Sequence, residues 1–188
     1  MNLKAQVLIA AISLRPDARV LVEIGCIREA TESPTEGFST VYLAQEAKAR
    51  HSLLYSVDLN PYNIRVARAA VMAYQLSDSV RFHEGRGADW LKGFADPIDF
   101  LYLDGSDDPQ TNLEEFKAAE TKLAPDAIVC IDDCHAYLGR QFGKGDKVIP
   151  YAIEQGWMVR LVPTLHPWRT AILQRGEGFD TPHPFQGR

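Results

Sequence analysis

Three aspartates stand at the ends of two apolar runs: Asp104 closes IDFLYLDG, and Asp132 and Asp133 close AIVCIDD. If those runs are neighbouring strands, three carboxylates converge at one rim of a sheet. Like charges that close together are costly unless a cation joins them. An oxygen-only set suits Mg2+ or a similar hard ion that keeps waters and open positions for a substrate. No His/Cys spacing points to zinc instead. The alternative is that Asp132 or Asp133 caps the following turn while Asp104 faces water. His135, two residues past the acidic pair, has the chemistry of a general base, although a lone loop histidine is also an ordinary surface residue. Lys144 and Lys147 could steer an anionic substrate; the reading preferred here is a solvated face. Asp107 and Asp108 read as an exposed turn before Pro109.

Other strand ends carry unusual residues too. Glu23-Ile24-Gly25 closes ARVLVEIG and opens a loop that ends with Gly37-Phe38-Ser39-Thr40 at the next helix start. A glycine lets backbone approach a ligand, and a helix N-terminus offers free N–H groups. Eleven residues separate Gly25 from Gly37, unlike the compact GxGxxG that cradles a pyrophosphate. The spacing disfavours NAD and suits a ligand without phosphates; equally, Gly25 only ends a strand and Gly37 precedes an N-cap at Ser39. Asp58 ends SLLYSVD, where an acid accepts both hydroxyls of a ribose or caps the helix that starts near Pro61. Gly85-Arg86-Gly87-Ala88 places small residues where a flat adenine ring could lie over backbone.

These residues need a scaffold that gathers strand ends. Strands are expected at Ala18–Gly25, Ser52–Asp58, Ser79–Gly85, Ile98–Gly105 and Ala127–Asp133, with WMVRLVPTL and RTAILQR as a closing pair. Helical spacing separates them: an opening helix within 1–17, Ser39–Arg50, Asn60–Leu76 with Ile64, Ala67, Val71 and Tyr74 inward, Ala88–Phe94, a helix through Leu113, Phe116, Ala119 and Leu123, and Lys147–Gln155. Strand–helix alternation implies right-handed crossovers and a mostly parallel sheet covered on both faces. The short His166-Pro167-Trp168 connection suits an antiparallel hairpin at one edge. The chain reads as one domain over 1–188, with an irregular Gly/Pro-rich tail over 176–188.

Composition narrows the class. The 188 residues carry 20 Lys+Arg against 25 Asp+Glu, a net charge of −5, so nucleic acid is disfavoured as a partner, although Arg65, Arg68 and Arg81 could form a patch. No apolar run approaches the roughly 20 residues that span a bilayer. The three cysteines, Cys26, Cys130 and Cys134, contain no CxxC pair, which points to a reducing cytoplasm rather than a disulfide scaffold.

The pattern resembles the class I S-adenosylmethionine-dependent methyltransferases over Arg19 to about Arg175. VLVEIG with GFSTVYLA, YSVDLNP, EGRGADWL, and DFLYLDG followed by IVCIDD carry the resemblance. It implies a Rossmann-like, doubly wound seven-stranded sheet whose last strand inserts antiparallel. It also implies that S-adenosylmethionine is the cofactor: Glu23, Gly25, Gly37 and Ser39 would line the methionine moiety, Asp58 would hold the ribose, Gly87 and Ala88 would border the adenine, and Asp104 would lie at the reacting end. The LDG…IDD pair is similar to the metal-dependent O-methyltransferases of the catechol and macrocin types, where Asp104, Asp132 and Asp133 would hold Mg2+ and the ion would favour the alkoxide of a hydroxylated small molecule. The sequence departs from that family in two places: the loop after Gly25 is long, and Gly105-Ser106-Asp107-Asp108 lacks the lysine that catechol-type enzymes place there, leaving His135 or metal-assisted ionisation as substitutes. A pocket completed by a second subunit, and hence a homo-oligomer, is left open. The rival readings are a cephalosporin-hydroxylase-like enzyme and a non-catalytic member that binds nucleosides or a protein partner.

Overall fold

A computed structural model describes residues 3–30, 38–137, 140–164 and 168–176, the side chains of 135–142 excepted. Its strands are β1 Val20–Ile24, β2 Leu53–Asp58, β3 Val80–Glu84, β4 Ile98–Leu103, β5 Leu123–Tyr137, β6 Arg140–Gly143, β7 Met158–Pro163 and β8 Arg169–Gln174. The helices are α1 Leu3–Ser13, α2 Ser39–Ala49, α3 Pro61–Ala73, α4 Gly87–Gly93, α5 Pro109–Glu120 and α6 Val148–Glu154. Seven strands follow the order β3-β2-β1-β4-β5-β8-β7, and β6 pairs with β5 off that path. The first five are parallel, while β8 runs antiparallel to both β5 and β7. The expected doubly wound sheet with an antiparallel edge is therefore present. No described helix is long and apolar enough to cross a membrane.

Alternation along the central strands builds two cores. Leu21, Phe100, Tyr102, Ile128 and Cys130 pack with Leu8, Val41 and Ile64 from α1, α2 and α3. Val22, Leu101, Leu103, Val129 and Ile131 pack with Leu91, Phe116 and Val148 from α4, α5 and α6. Period-two side chains facing opposite layers are what a sheet buried on both faces requires.

Several local expectations need correction. Strand β5 begins at Leu123, read from sequence as the end of a helix, and continues past Asp133 to Tyr137, where it turns back as β6. Continuous apolar runs of this kind do not mark their own ends. Tyr74 is exposed rather than inward, because α3 ends at Ala73 and Tyr74 stands beyond its last turn. Ser39 is not the N-cap of α2: Phe38 holds that position in a left-handed conformation at φ 50° with no side-chain cap bond, and Ser39 turns inward. Asp108, read as part of an exposed turn, is the N-cap of α5 and accepts from the N–H groups of Gln110 and Thr111.

Candidate functional site

The strand order reverses between β1 and β4, and open α/β sheets bind ligands beyond the strand carboxyl ends at such a topological switch point. The backbones nearly touch there: Asp104 N–H donates to Ile24 O at 2.8 Å, and Gly25 N–H to Val57 O at 2.8 Å. Gly25 sits at φ +89°, and a Cβ on it would stand 2.5 Å from Gly105 Cα. The meeting of two chain segments by itself requires glycine here.

Glu23 is fully buried at the end of β1. Its carboxylate accepts from the hydroxyls of Ser39 at 2.6 Å, Thr40 at 2.8 Å and Ser56 at 2.7 Å. Thr40 Oγ1 in turn accepts from Ile27 N–H at 3.0 Å. Burial pushes the Glu23 carboxyl up to about 7 against the pull of these three donors. Glu23 and Ser39, expected to line a cofactor, are turned toward each other and fasten α2 and the start of the loop to β1 and β2.

Asp58 is half-buried at the end of β2. Its oxygens accept from Cys26 N–H at 3.0 Å, Asn60 N–H at 2.7 Å and Asn63 Nδ2 at 3.2 and 3.3 Å. The cap of α3 is Asn60 rather than Asp58. Gly85, whose N–H donates to Asp58 O at 3.0 Å, faces open space. Gly87 and Ala88 are buried, and a Cβ on Gly87 would meet Ile24 Cγ2 at 2.5 Å and Glu115 Oε1 at 2.6 Å. Open space thus lies beside Gly85, while the Cβ direction of Gly87 is filled. Glu115 itself is buried, and its Oε2 has no hydrogen-bond partner. Burial raises its carboxyl to about 7 even though Lys144 and Arg86 pull it down.

The acids at the ends of β4 and β5 do come together: one oxygen from each of Asp104, Asp132 and Asp133 lies within 4.8 Å of the others. A bulge makes this possible. The β5–β8 register shifts between Ile131 and Cys134, and Asp133 adopts φ 44°. Aspartate tolerates the left-handed region better than most residues, and a bulge re-aims side chains beside a site.

Two lysines stand among these carboxylates. Lys144 is only 4% exposed; its Nζ makes a close ion pair with Asp104 and lies 3.4 Å from Asp133 and 3.7 Å from Asp107. Lys4 of α1 pairs closely with Asp132 and lies 3.8 Å from Asp133. Tyr102 Oη donates to Asp104 at 3.2 Å, and Thr170 Oγ1 to the fully buried Asp132 at 3.3 Å. Burial lowers the Lys4 and Lys144 pKa values, but the surrounding carboxylates overcome it and the net shift of both is upward. Burial and Asp104 push Asp132 upward against the pull of Lys4; the short ion pair and both strongly held lysines favour the ionised form. The solvated face expected for Lys144 is corrected. Three carboxylates with two ammonium groups already among them do not fit a resident Mg2+, which would have to displace both lysines. Lys147, by contrast, is exposed and donates to Gln110 at 2.7 Å.

His135 lies in the extension of β5, paired through its backbone with Phe142; its side chain, like Gly37, lies outside the described residues. Lys4 and Ser56 carry no sequence signal, and Lys144 reads from sequence only as a residue that could steer an anionic substrate, because no short spacing links Lys4 to Asp132 or Ser56 to Glu23. The one available signal was that three clustered acids require cations from somewhere.

A family model described as "Methyltransferase domain" matches residues 34–134, more than half of the chain. The chain belongs to this family. No curated protein matches it. Among solved structures, the fold of this methyltransferase is similar to that of PaMTH1 from Podospora anserina, with SAH bound (TM-score 0.69, 18% identity, covering 92% of this chain and 78% of that one). It is also similar to the O-methyltransferase TomG from Streptomyces achromogenes in complex with SAM (0.67, 17%, 92% and 80%), and to TrmN from Thermus thermophilus (0.65, 19%, 91% and 48%). At these identities the likeness establishes the class I methyltransferase fold.

Proposed function

We propose that the protein transfers the methyl group of S-adenosylmethionine to a hydroxyl of a small molecule bound at the carboxyl rim of the sheet. One observation carries the reading: a half-buried carboxylate, Asp58, beside open space at Gly85 and next to the Gly25–Gly105 crossing, in a chain of the methyltransferase family. That arrangement fits a nucleoside, with Asp58 accepting from ribose hydroxyls and Gly85 leaving room for a flat base. The electrophile is the sulfonium methyl that S-adenosylmethionine supplies when bound.

The chain's own groups do the rest. The Glu23 clasp holds α2 and the loop entry rigid, so the rim is formed before ligand arrives. Asp104 and Asp133, both partly exposed, border the acceptor side. An acceptor hydroxyl held there would pass its proton to the Asp133 carboxylate as its oxygen takes the methyl group that S-adenosylmethionine would supply, leaving the donor as a thioether. In-line positioning supplies most of the acceleration in such a displacement. The ammonium groups of Lys144 and Lys4 lie among the carboxylates of that rim.

Calorimetric titration with S-adenosylmethionine and S-adenosylhomocysteine tests the reading. We expect saturable one-to-one binding, weakened ~10- to 100-fold in Asp58→Ala by loss of charge-assisted hydrogen bonds. Label transfer from methyl-tritiated cofactor to a panel of catechols and aliphatic alcohols then reports the acceptor class. Absence of binding to either nucleoside would leave the non-catalytic reading in its place.

A further inference from the structure

The acids at the ends of β4 and β5 are expected from sequence to hold a metal, and the structure gives them a different partner. We infer that this protein supplies its own cation: the ammonium groups of Lys4 and Lys144 occupy the place of a divalent ion among Asp104, Asp132 and Asp133, so that methyl transfer is independent of metal and the acceptor oxygen is met by Lys144. The inference rests on the methyl-transfer reading for its last clause only.

Four observations support it. The two lysines arrive from elements on opposite faces of the sheet, α1 on one side and the segment before α6 on the other. Each carboxylate has a lysine Nζ within ion-pair distance: Lys4 serves Asp132 and Asp133, and Lys144 serves Asp104 and Asp133. Lys144 is buried, and a lysine left unpaired there would be strongly unfavourable. Its site is also shaped around the segment that carries it: Lys144 N–H donates to Asp133 O at 3.4 Å, and a Cβ on Gly145 would stand 2.6 Å from Cys134 Sγ. The glycine after Lys144 thus lets the chain press against β5 closely enough for Nζ to reach Asp104.

Two positive charges against three negative leave the cluster one short of neutral, and the deficit lies at Asp133, the most exposed of the three acids. An acceptor hydroxyl approaching Asp133 and Lys144 meets a proton acceptor and an ammonium that stabilises the developing oxyanion. That is the division of labour a metal and its base perform elsewhere. It also accounts for the lysine absent from Gly105-Ser106-Asp107-Asp108: an equivalent charge arrives from the far side of the β5–β6 turn.

The test reads metal binding directly. Mn2+ is titrated into the wild-type chain and into Lys4→Met, Lys144→Met and the double variant, and the free ion is followed by electron paramagnetic resonance. S-adenosylhomocysteine calorimetry runs on each sample as an independent check of fold and cofactor site. We expect the wild type to leave Mn2+ free to millimolar concentration. The double variant should take up one ion per chain at least ~10-fold more tightly, because three unneutralised carboxylates then face each other. Lys144→Arg keeps the charge and should exclude Mn2+ as the wild type does, which covers the case in which a methionine variant does not fold. Saturable Mn2+ uptake by the wild type that is lost in Asp133→Ala would overturn the inference, as would a folded double variant that takes up no ion. Loss of homocysteine-product binding across the whole series, with the Mn2+ pattern as expected, would instead remove the methyl-transfer reading and leave the lysine-filled site standing.

Discussion

Both rims of the sheet bury ionic groups, and they do so differently. At the amino rim, Asp99 accepts from the backbone N–H groups of Arg19 at 2.7 Å and Val20 at 2.9 Å, and from the Arg15 guanidinium at 2.6 Å. Arg15 also pairs closely with the exposed Asp126. The Asp99 carboxylate is fully engaged in joining the entry of β1 to β4. At the carboxyl rim, three acids share two lysines, Asp133 stays partly exposed, and Glu115 holds a buried oxygen with no partner. The Asp99 carboxylate is saturated even though Arg15 Nε has no hydrogen-bond partner, whereas the carboxyl rim is unbalanced in charge, the kind of imbalance that clusters at functional sites.

Removing the engaged acid should cost most. Asp99→Ala leaves two N–H groups and much of a guanidinium unpaired, so we expect about 4 kcal/mol of lost stability. Urea denaturation should show this while the folded fraction binds S-adenosylhomocysteine as tightly as the wild type. A loss below about 1 kcal/mol, the scale of exposed ion pairs, would dissolve the contrast between the rims.

Next in size is the dependence of stability on pH. Glu23 and Glu115 have folded pKa values raised to about 7, so the native state keeps protons that the unfolded chain has released. Stability from these two groups is intact below their unfolded pKa near 4.5 and declines as pH rises to about 7, by up to about 3 kcal/mol each. Denaturation midpoints should therefore fall between pH 5 and pH 8. Glu115→Gln should flatten that decline, and a midpoint that rises equally in both proteins would show that other groups dominate.

Lys144→Met should lower kcat by ~100-fold, about 2.7 kcal/mol in the barrier, with KM for the methyl donor unchanged. The same substitution affecting KM alone would make Lys144 a binding residue. Last, Asp108→Ala removes only the N-cap of α5 and should lower stability by about 1 kcal/mol with no effect on cofactor binding. A large loss of binding there would extend the functional rim to α5.

Much of this was readable beforehand because it depends on local patterns. Apolar runs ending in Gly25, Asp58, Gly85, Asp104 and Asp133 identify β1 to β5, and the parallel topology then assigns those ends to one rim. Helix positions followed from spacing, with errors at ends where tertiary packing overrides propensity: Leu123 joined β5, and Tyr74 stayed in solvent. The hydroxyl partners of Glu23 were not readable, since an acid at a strand end looks alike whatever other elements bring to it.

By itself, the sequence determined the fold class, the switch point and the gathering of Asp104, Asp132 and Asp133, because hydrophobic periodicity dictates which residues form strands and chirality dictates how parallel strands connect. Tertiary structure alone decided what those acids hold. Lys4 and Lys144 are far apart in the chain, and the bulge at Asp133 and the β5–β6 turn have no local code; charge pairing acts through space, and only the folded backbone brings the two ammonium groups to the carboxylates.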